Sequence, residues 1–169
     1  MLKELVRDIP DFPKKGIVFR DITPLLLNPS SLKEIVNKIS DHYANKKIDI
    51  LVGAEARGFI IGPAVAINLN AGFVPVRKPG KLPYETTSTT YQLEYGTDTL
   101  EIHKDAVKTN DNVLMVDDLL ATGGTMVACC NLVESLGGKI KGCAFIIELG
   151  FLNGRNKLSK YDVFSLIQY

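Results

Sequence analysis

The sequence has little cysteine, little histidine, almost no net charge and no long apolar run. Its three cysteines, Cys129, Cys130 and Cys143, are odd in number and lack metal-ligand spacing, which excludes a disulfide framework and a zinc motif. They read as reduced thiols packed in a core, which suits a cytoplasmic protein. The formal charge is +1 and the lysines and arginines are scattered among acids, so no basic stripe exists for nucleic acid to follow. No apolar run approaches membrane-spanning length, and the first residues, Met1 to Asp8, mix acids with bases as no secretory signal does. Neither a membrane nor a nucleic acid is therefore an expected partner. Two nucleotide fingerprints are also missing: there is no Gly-x-x-x-x-Gly-Lys-Ser/Thr and no Gly-x-Gly-x-x-Gly.

What is present is enough apolar material for one domain: 169 residues, 46% hydrophobic. Ser31 with Glu34 reads as a capping box, and Leu32, Ile35, Val36, Ile39 and Tyr43 share one face of the helix that follows. His42 falls near the end of that helix. A short β-branched strand, residues 48–52, leads through Gly53-Ala-Glu-Ala-Arg57-Gly58 into an apolar helix over 59–69, then a strand over 73–76. A polar loop over 81–94, with its Thr-Thr-Ser-Thr-Thr run, and a hairpin through Tyr91 to His103 come next. The pattern then repeats as strand 113–116, helix 126–136 and strand 140–147. Strands alternating with helices predict a doubly wound α/β domain on a mainly parallel sheet.

The densest chemistry lies in Val113-Leu-Met-Val-Asp117-Asp118-Leu-Leu-Ala121-Thr122-Gly123-Gly124-Thr125. An apolar strand ending in charge places its ligand at the carboxyl end of the sheet. The glycines admit a phosphate close to the backbone, and helix-start amides with the Thr122 and Thr125 hydroxyls can hold it without lysine. Asp117 and Asp118 would repel a phosphate. They suit the two hydroxyls of a cis-diol, and a Mg2+ sharing their oxygens would ease their mutual repulsion. Ribose 5-phosphate fits the whole stretch, whereas an ordinary helix cap needs only one such residue. Arg57 follows a neighbouring strand end, where its planar donor fork can meet a second phosphate group.

This stretch resembles the phosphoribosyl-diphosphate (PRPP) signature of the type I phosphoribosyltransferases. Further blocks resemble the members of that family that act on adenine: Phe12 to Pro24, Gly53 to Phe59, Arg77 to Pro83, Leu93-Glu94-Tyr95-Gly96 and Phe164 to Tyr169. The resemblance implies transfer of phosphoribose from PRPP to adenine, with Mg2+ as cofactor, in a homodimer. It implies a small hood over residues 1–30, and a lid loop with its hairpin over 78–103. It assigns the 5'-phosphate to Ala121, Thr122, Gly123, Gly124 and Thr125, and the diphosphate to Arg57, Arg77, Lys78 and Lys81. His103 is either a further diphosphate contact or a surface residue. Val18, Phe19, Arg20 and Leu149 would hold adenine, Glu94 would assist its proton transfer, and Asp117 and Asp118 would face the sugar. The metal would bind mainly through substrate and water, with Asp117 or Asp118 as its protein ligand. A strained, cis peptide is implied near Glu55-Ala56. Rival readings are a phosphoribosyltransferase for another purine and a PRPP-binding regulatory module, the latter without any spare nucleic-acid-binding segment.

Overall fold

The computed structural model describes residues 2–92 and 96–169. Its centre is a five-stranded parallel sheet in the order β4-β3-β7-β8-β9, formed by β3 (Ile50–Ala54), β4 (Gly72–Val76), β7 (Asn112–Leu120), β8 (Lys139–Glu148) and β9 (Val163–Gln168). Successive strand residues alternate between two apolar clusters. Leu51, Leu114, Val116, Ala144 and Ile146 join one; Val52, Val113, Met115, Cys143 and Phe145 join the other. The period of two puts these clusters on opposite faces of the sheet. Helices α2 (Pro29–Tyr43) and α3 (Gly58–Asn68) cover the first face, and α4 (Gly124–Ser135) covers the second. All three cysteines are buried and free.

The connections explain where a ligand can enter. From β3 the chain crosses through α3 to β4 on one side, and from β7 through α4 to β8 on the other. Adjacent β3 and β7 thus bracket the switch point, where the loops diverge and leave a crevice beyond the strand ends.

A two-stranded hairpin of β1 (Arg7–Pro10) and β2 (Val18–Asp21), followed by the short helix α1 (Thr23–Leu27), precedes this sheet. A second hairpin pairs β5 (Thr86–Gln92) with β6 (Thr97–His103) and packs on α4. A one-turn helix, α5 (Gly154–Lys157), follows β8. No helix among the described residues is long and apolar enough to cross a membrane.

Four expectations need correction. Helix α2 starts at Pro29 with Asn28 as its cap, its side chain accepting from the Ser30 and Ser31 amides at 3.0 and 3.1 Å. Proline at the first helical position has no amide to leave unpaired, so Asn28-Pro29 outcompetes the Ser31-Glu34 box. Ser31 instead donates its hydroxyl to the Leu25 carbonyl at 2.9 Å. The threonine run expected in a loop is strand β5, its β-branched residues paired along β6. Strand β7 continues past the acidic pair, because Leu119 and Leu120 still pair with Ile147 and Glu148. Helix α4 begins at Gly124 rather than near Met126.

Candidate active site

Two cavities open at the switch point. The smaller, about 330 Å³, is lined by Glu55, Ala56 and Arg57 after β3 and by residues 117–126 after the core of β7. The sequence stretch read as a phosphosugar site thus forms one wall and Arg57 another. Gly123 takes φ +80° just ahead of α4, a conformation that favours glycine, so the unpaired amides at the helix start line the cavity. A Cβ on Gly123 would come within 2.7 Å of the Gly154 carbonyl oxygen, and one on Gly154 would overlap the Ala121 carbonyl oxygen. The loop and the start of α5 therefore meet glycine to glycine. The Glu55-Ala56 peptide is cis.

Within this cavity the carboxylates differ. Asp118 is buried and ion-paired with the Arg57 guanidinium. Asp117 accepts the Asp118 amide at 2.9 Å through Oδ1. Burial pushes the Asp117 carboxyl well above the usual carboxylate range; the neighbouring Asp118 charge adds to the shift and Arg57 opposes it. Two adjacent carboxylates thus share one arginine.

The larger cavity, about 1160 Å³, is lined by Val18 and Arg20 of β2, by Gln92, by Leu149 with Phe151 and Leu152, and by part of the phosphate-loop wall. Val18 pairs in register with Pro10, which has no amide to offer it. Arg20 is ion-paired with Asp8 across the hairpin, and its Cζ stands 4.0 Å from the centre of the Tyr169 ring. Phe19 does not line either cavity. Its ring meets Phe12 edge-on at 5.3 Å and lies 5.5 Å from the Arg57 Cζ, so it joins the hood to the smaller cavity.

The remaining expected cations form a third group outside both linings. Arg77 Nε lies 3.7 Å from Glu55, and its guanidinium donates to the Lys81 carbonyl at 3.3 Å. The Lys78 ammonium pairs with Asp98 at 2.9 Å, while its amide donates to Glu55 at 2.6 Å. His103 Nε2 accepts the Tyr84 amide at 3.4 Å. The Lys81 side chain is exposed. His42, at the end of α2, stacks on Phe164 at 4.0 Å and faces Asp162 at 3.3 Å. Glu94 lies outside the described residues.

The phosphoribosyl transferase domain model matches residues 24–168. The chain belongs to the phosphoribosyltransferase family. A curated adenine phosphoribosyltransferase of Koribacter versatilis is 62% identical over 168 residues, covering 99% of this chain and 92% of that protein. The crystal structure of the Thermoanaerobacter pseudethanolicus adenine phosphoribosyltransferase superposes with a TM-score of 0.97 at 54% identity, covering 99% and 98% of the two chains. The Saccharomyces cerevisiae enzyme, solved with an imino-altritol bisphosphate and adenine, gives 0.92 at 43% identity, covering 98% and 96%.

Several residues that build this phosphoribosyltransferase site carry no signal in the local sequence pattern. Gly154 buttresses the phosphate loop from beyond β8. Arg155 fixes that segment by donating from Nε to Glu148 at 2.9 Å and from Nη1 to the Val163 carbonyl at 2.8 Å. The Arg155 bond and that of Ser165 hold the Glu148 carboxyl below its usual range against the opposing effect of burial. Tyr91 reaches from β5 to the Thr125 hydroxyl at 3.3 Å. Asp8 and Tyr169 hold Arg20. Contacts between segments this distant in sequence obey no periodicity, so only the folded chain reveals them.

Proposed function

We infer that the protein transfers the 5-phosphoribosyl group of PRPP to adenine, giving AMP and diphosphate; its relatives are named adenine phosphoribosyltransferases. The observation that carries this reading is the smaller cavity at the β3/β7 switch point, where a carboxylate pair and a glycine-threonine helix start on one wall face an arginine on another. Those groups match the parts of PRPP in order. The amides and hydroxyls of Ala121 to Thr125 take the 5'-phosphate. Asp117 and Asp118 take the ribose hydroxyls and stabilise the positive charge that develops on the sugar as its C1 separates from diphosphate. Arg57 takes the diphosphate, exchanging its Asp118 partner for phosphate oxygens, and Arg77, Lys78 and Lys81 extend that cationic side, with the His103 ring as a further diphosphate contact.

Among the described residues no three or more His, Cys, Asp or Glu gather as a metal cage. A carboxylate pair beside a phosphate site nevertheless fits Mg2+, which accepts one or two protein carboxylates and takes its other ligands from substrate and water. When bound, it neutralises charge on the departing diphosphate.

The larger cavity takes the base. Adenine offers an acceptor at N1 and a donor at N6, which the extended Val18 backbone can meet; hypoxanthine and guanine reverse that pattern. A mismatched buried pair costs roughly 1–3 kcal/mol, enough to separate the bases. Leu149 and Arg20 bound the same space, Phe19 supports it from the hood, and Glu94 assists the proton transfer at N7. The hairpin β5–β6 serves as the lid, tied to the phosphate loop through Tyr91. A homodimer and a cytoplasmic location complete the reading, to be checked by light scattering and by cell fractionation.

Diphosphate release from PRPP and Mg2+, with adenine, hypoxanthine, guanine, xanthine and orotate supplied singly, tests the function. Release with adenine accompanied by AMP is expected. Turnover of another base instead would overturn the reading of the larger cavity, and PRPP binding without any turnover would leave a PRPP-binding regulator.

A further inference from the structure

Arg20 borders the larger cavity from β2, yet a long cationic side chain on a two-stranded hairpin has many rotamers open to it. Two contacts remove that freedom. One is Asp8, ion-paired with Arg20 from the facing strand β1 at the same register position. The other is the ring of Tyr169, just beyond β9, whose centre lies 4.0 Å from the Arg20 Cζ. Lys3, in the turn before β1, also stands over that ring at 4.2 Å and donates to the Gln168 carbonyl at 2.6 Å.

The ring is itself held by the sheet. The Tyr169 amide donates to the Glu148 carbonyl at 3.0 Å, and the Tyr169 carbonyl accepts the Gly150 amide at 2.9 Å. These bonds flank Leu149, which lines the same cavity as Arg20. A ring anchored to the β8 end thus reaches across to the hairpin. The hairpin meets the five-stranded sheet through side chains rather than through a shared ladder.

We propose that Tyr169 is a positioning residue for the base pocket: its ring holds Arg20 in place against the hairpin and keeps the hood in register with Leu149. The proposal rests on the reading of the larger cavity as the base site. What matters is the face of the ring, which attracts a guanidinium through its quadrupole, and not the phenol hydroxyl. Phenylalanine should therefore serve equally well, whereas an aliphatic residue should not. Among the described residues no hydrogen bond or ion pair joins the phosphate loop to Tyr169 or Arg20, so PRPP should be indifferent to the change.

The test measures KM for each substrate and kcat in Tyr169→Leu, Tyr169→Met and Tyr169→Phe, with the thermal midpoint taken alongside. Loss of a partly buried cation–π contact should raise the adenine KM of Tyr169→Leu and Tyr169→Met by about 3- to 10-fold. The PRPP KM should not move, and Tyr169→Phe should behave as the wild type. In an Arg20→Gln background Tyr169→Leu should add nothing to the adenine KM, because the ring would then hold only Lys3, which lines neither cavity. An adenine KM unchanged in both aliphatic variants, a parallel rise in both KM values, or full additivity with Arg20→Gln would each overturn the proposal. Should the wild type accept a different purine, the adenine reading falls and the same split is measured on that purine.

Discussion

The two cavities sit side by side and share the wall of Ala121, Thr122, Gly124 and Thr125, but they are built in different ways. The smaller is made of one contiguous stretch, from the end of β7 into α4, and three residues after β3, its loop set by backbone packing between glycines. The larger collects Val18, Arg20, Gln92, Leu149 and Phe151 from separate elements, joined by side-chain contacts that cross the molecule. Backbone packing tolerates no added atom, whereas a side-chain tie can be loosened by degrees. Substitutions around the smaller cavity should accordingly act steeply on PRPP, and those around the larger should act gradually on the base.

The steepest effect is expected from Asp118→Asn. It removes one of the two carboxylates placed to stabilise charge on the sugar and leaves Arg57 without its partner. Loss of a positioned electrostatic group of this kind lowers kcat by about 10²-fold or more. Steady-state kinetics at saturating PRPP and adenine would check this, and a change confined to KM would move Asp118 out of the chemistry.

Next comes Gly154→Ala, which touches no proposed ligand. Its Cβ would overlap the Ala121 carbonyl oxygen and sit 3.0 Å from the Gly123 amide, so the phosphate loop must shift. Overpacking costs about 1–3 kcal/mol. If half of that falls on the bound state, the PRPP KM rises by about 2- to 13-fold. An unaltered PRPP KM would show that the loop finds its geometry without α5, and the contrast between the cavities would lose its basis.

These two positions also mark what could be read from the chain alone. Asp118 stood in a run whose neighbours carried all the chemistry at once: an apolar strand, paired carboxylates and a glycine-hydroxyl helix start. The β3-α3-β4 and β7-α4-β8 units were legible for the same reason, since apolar periodicity is local. Gly154 was not legible, because its role is a contact with Gly123 made only after β8 returns to the switch point. Asp8 is hidden in the same way, and Tyr169 shows in the sequence only as the end of the Phe164 to Tyr169 block, not as the ring that meets Arg20. The Thr86–Gln92 strand is not legible locally, because threonine-rich polar sequence resembles a loop until Thr97–His103 supplies its partner. At α2 both signals were present, and the proline beside Asn28 decided between them.

Acidity separates the cavities as well. Burial and Asp118 raise the Asp117 carboxyl, so the folded protein holds that proton more tightly than the unfolded chain does. Below the unfolded value of about 4 the group is neutral in both states and costs nothing. As pH climbs through the raised value, the folded state must ionise a buried acid, and stability is lost. Asp117→Asn should remove that loss while keeping the carbonyl that accepts the Asp118 amide. Its thermal midpoint should match the wild type near pH 4 and exceed it at pH 8, by about 2–4 °C per kcal/mol recovered. A gap that narrows with rising pH would reverse the assignment.

The smallest expected effect probes the side-chain tie between the β5–β6 hairpin and the smaller cavity. Tyr91, on β5, shares a hydrogen bond of 3.3 Å with the Thr125 hydroxyl, and a Cβ on Gly124 would stand 3.8 Å from the Tyr91 ring. Tyr91→Phe keeps the ring and removes only the hydroxyl. A neutral hydrogen bond contributes about 0.5–1.5 kcal/mol net, which sets the change in PRPP KM at about 2- to 10-fold, at the lower end because Thr125 can turn to water. If backbone packing dominates this wall, Tyr91→Phe will fall well short of Gly154→Ala, and the difference measures how much of the phosphate site the hairpin holds. Equal effects would mean that β5 and α5 position the loop together, and the smaller cavity would then depend on side-chain ties as much as the larger one does.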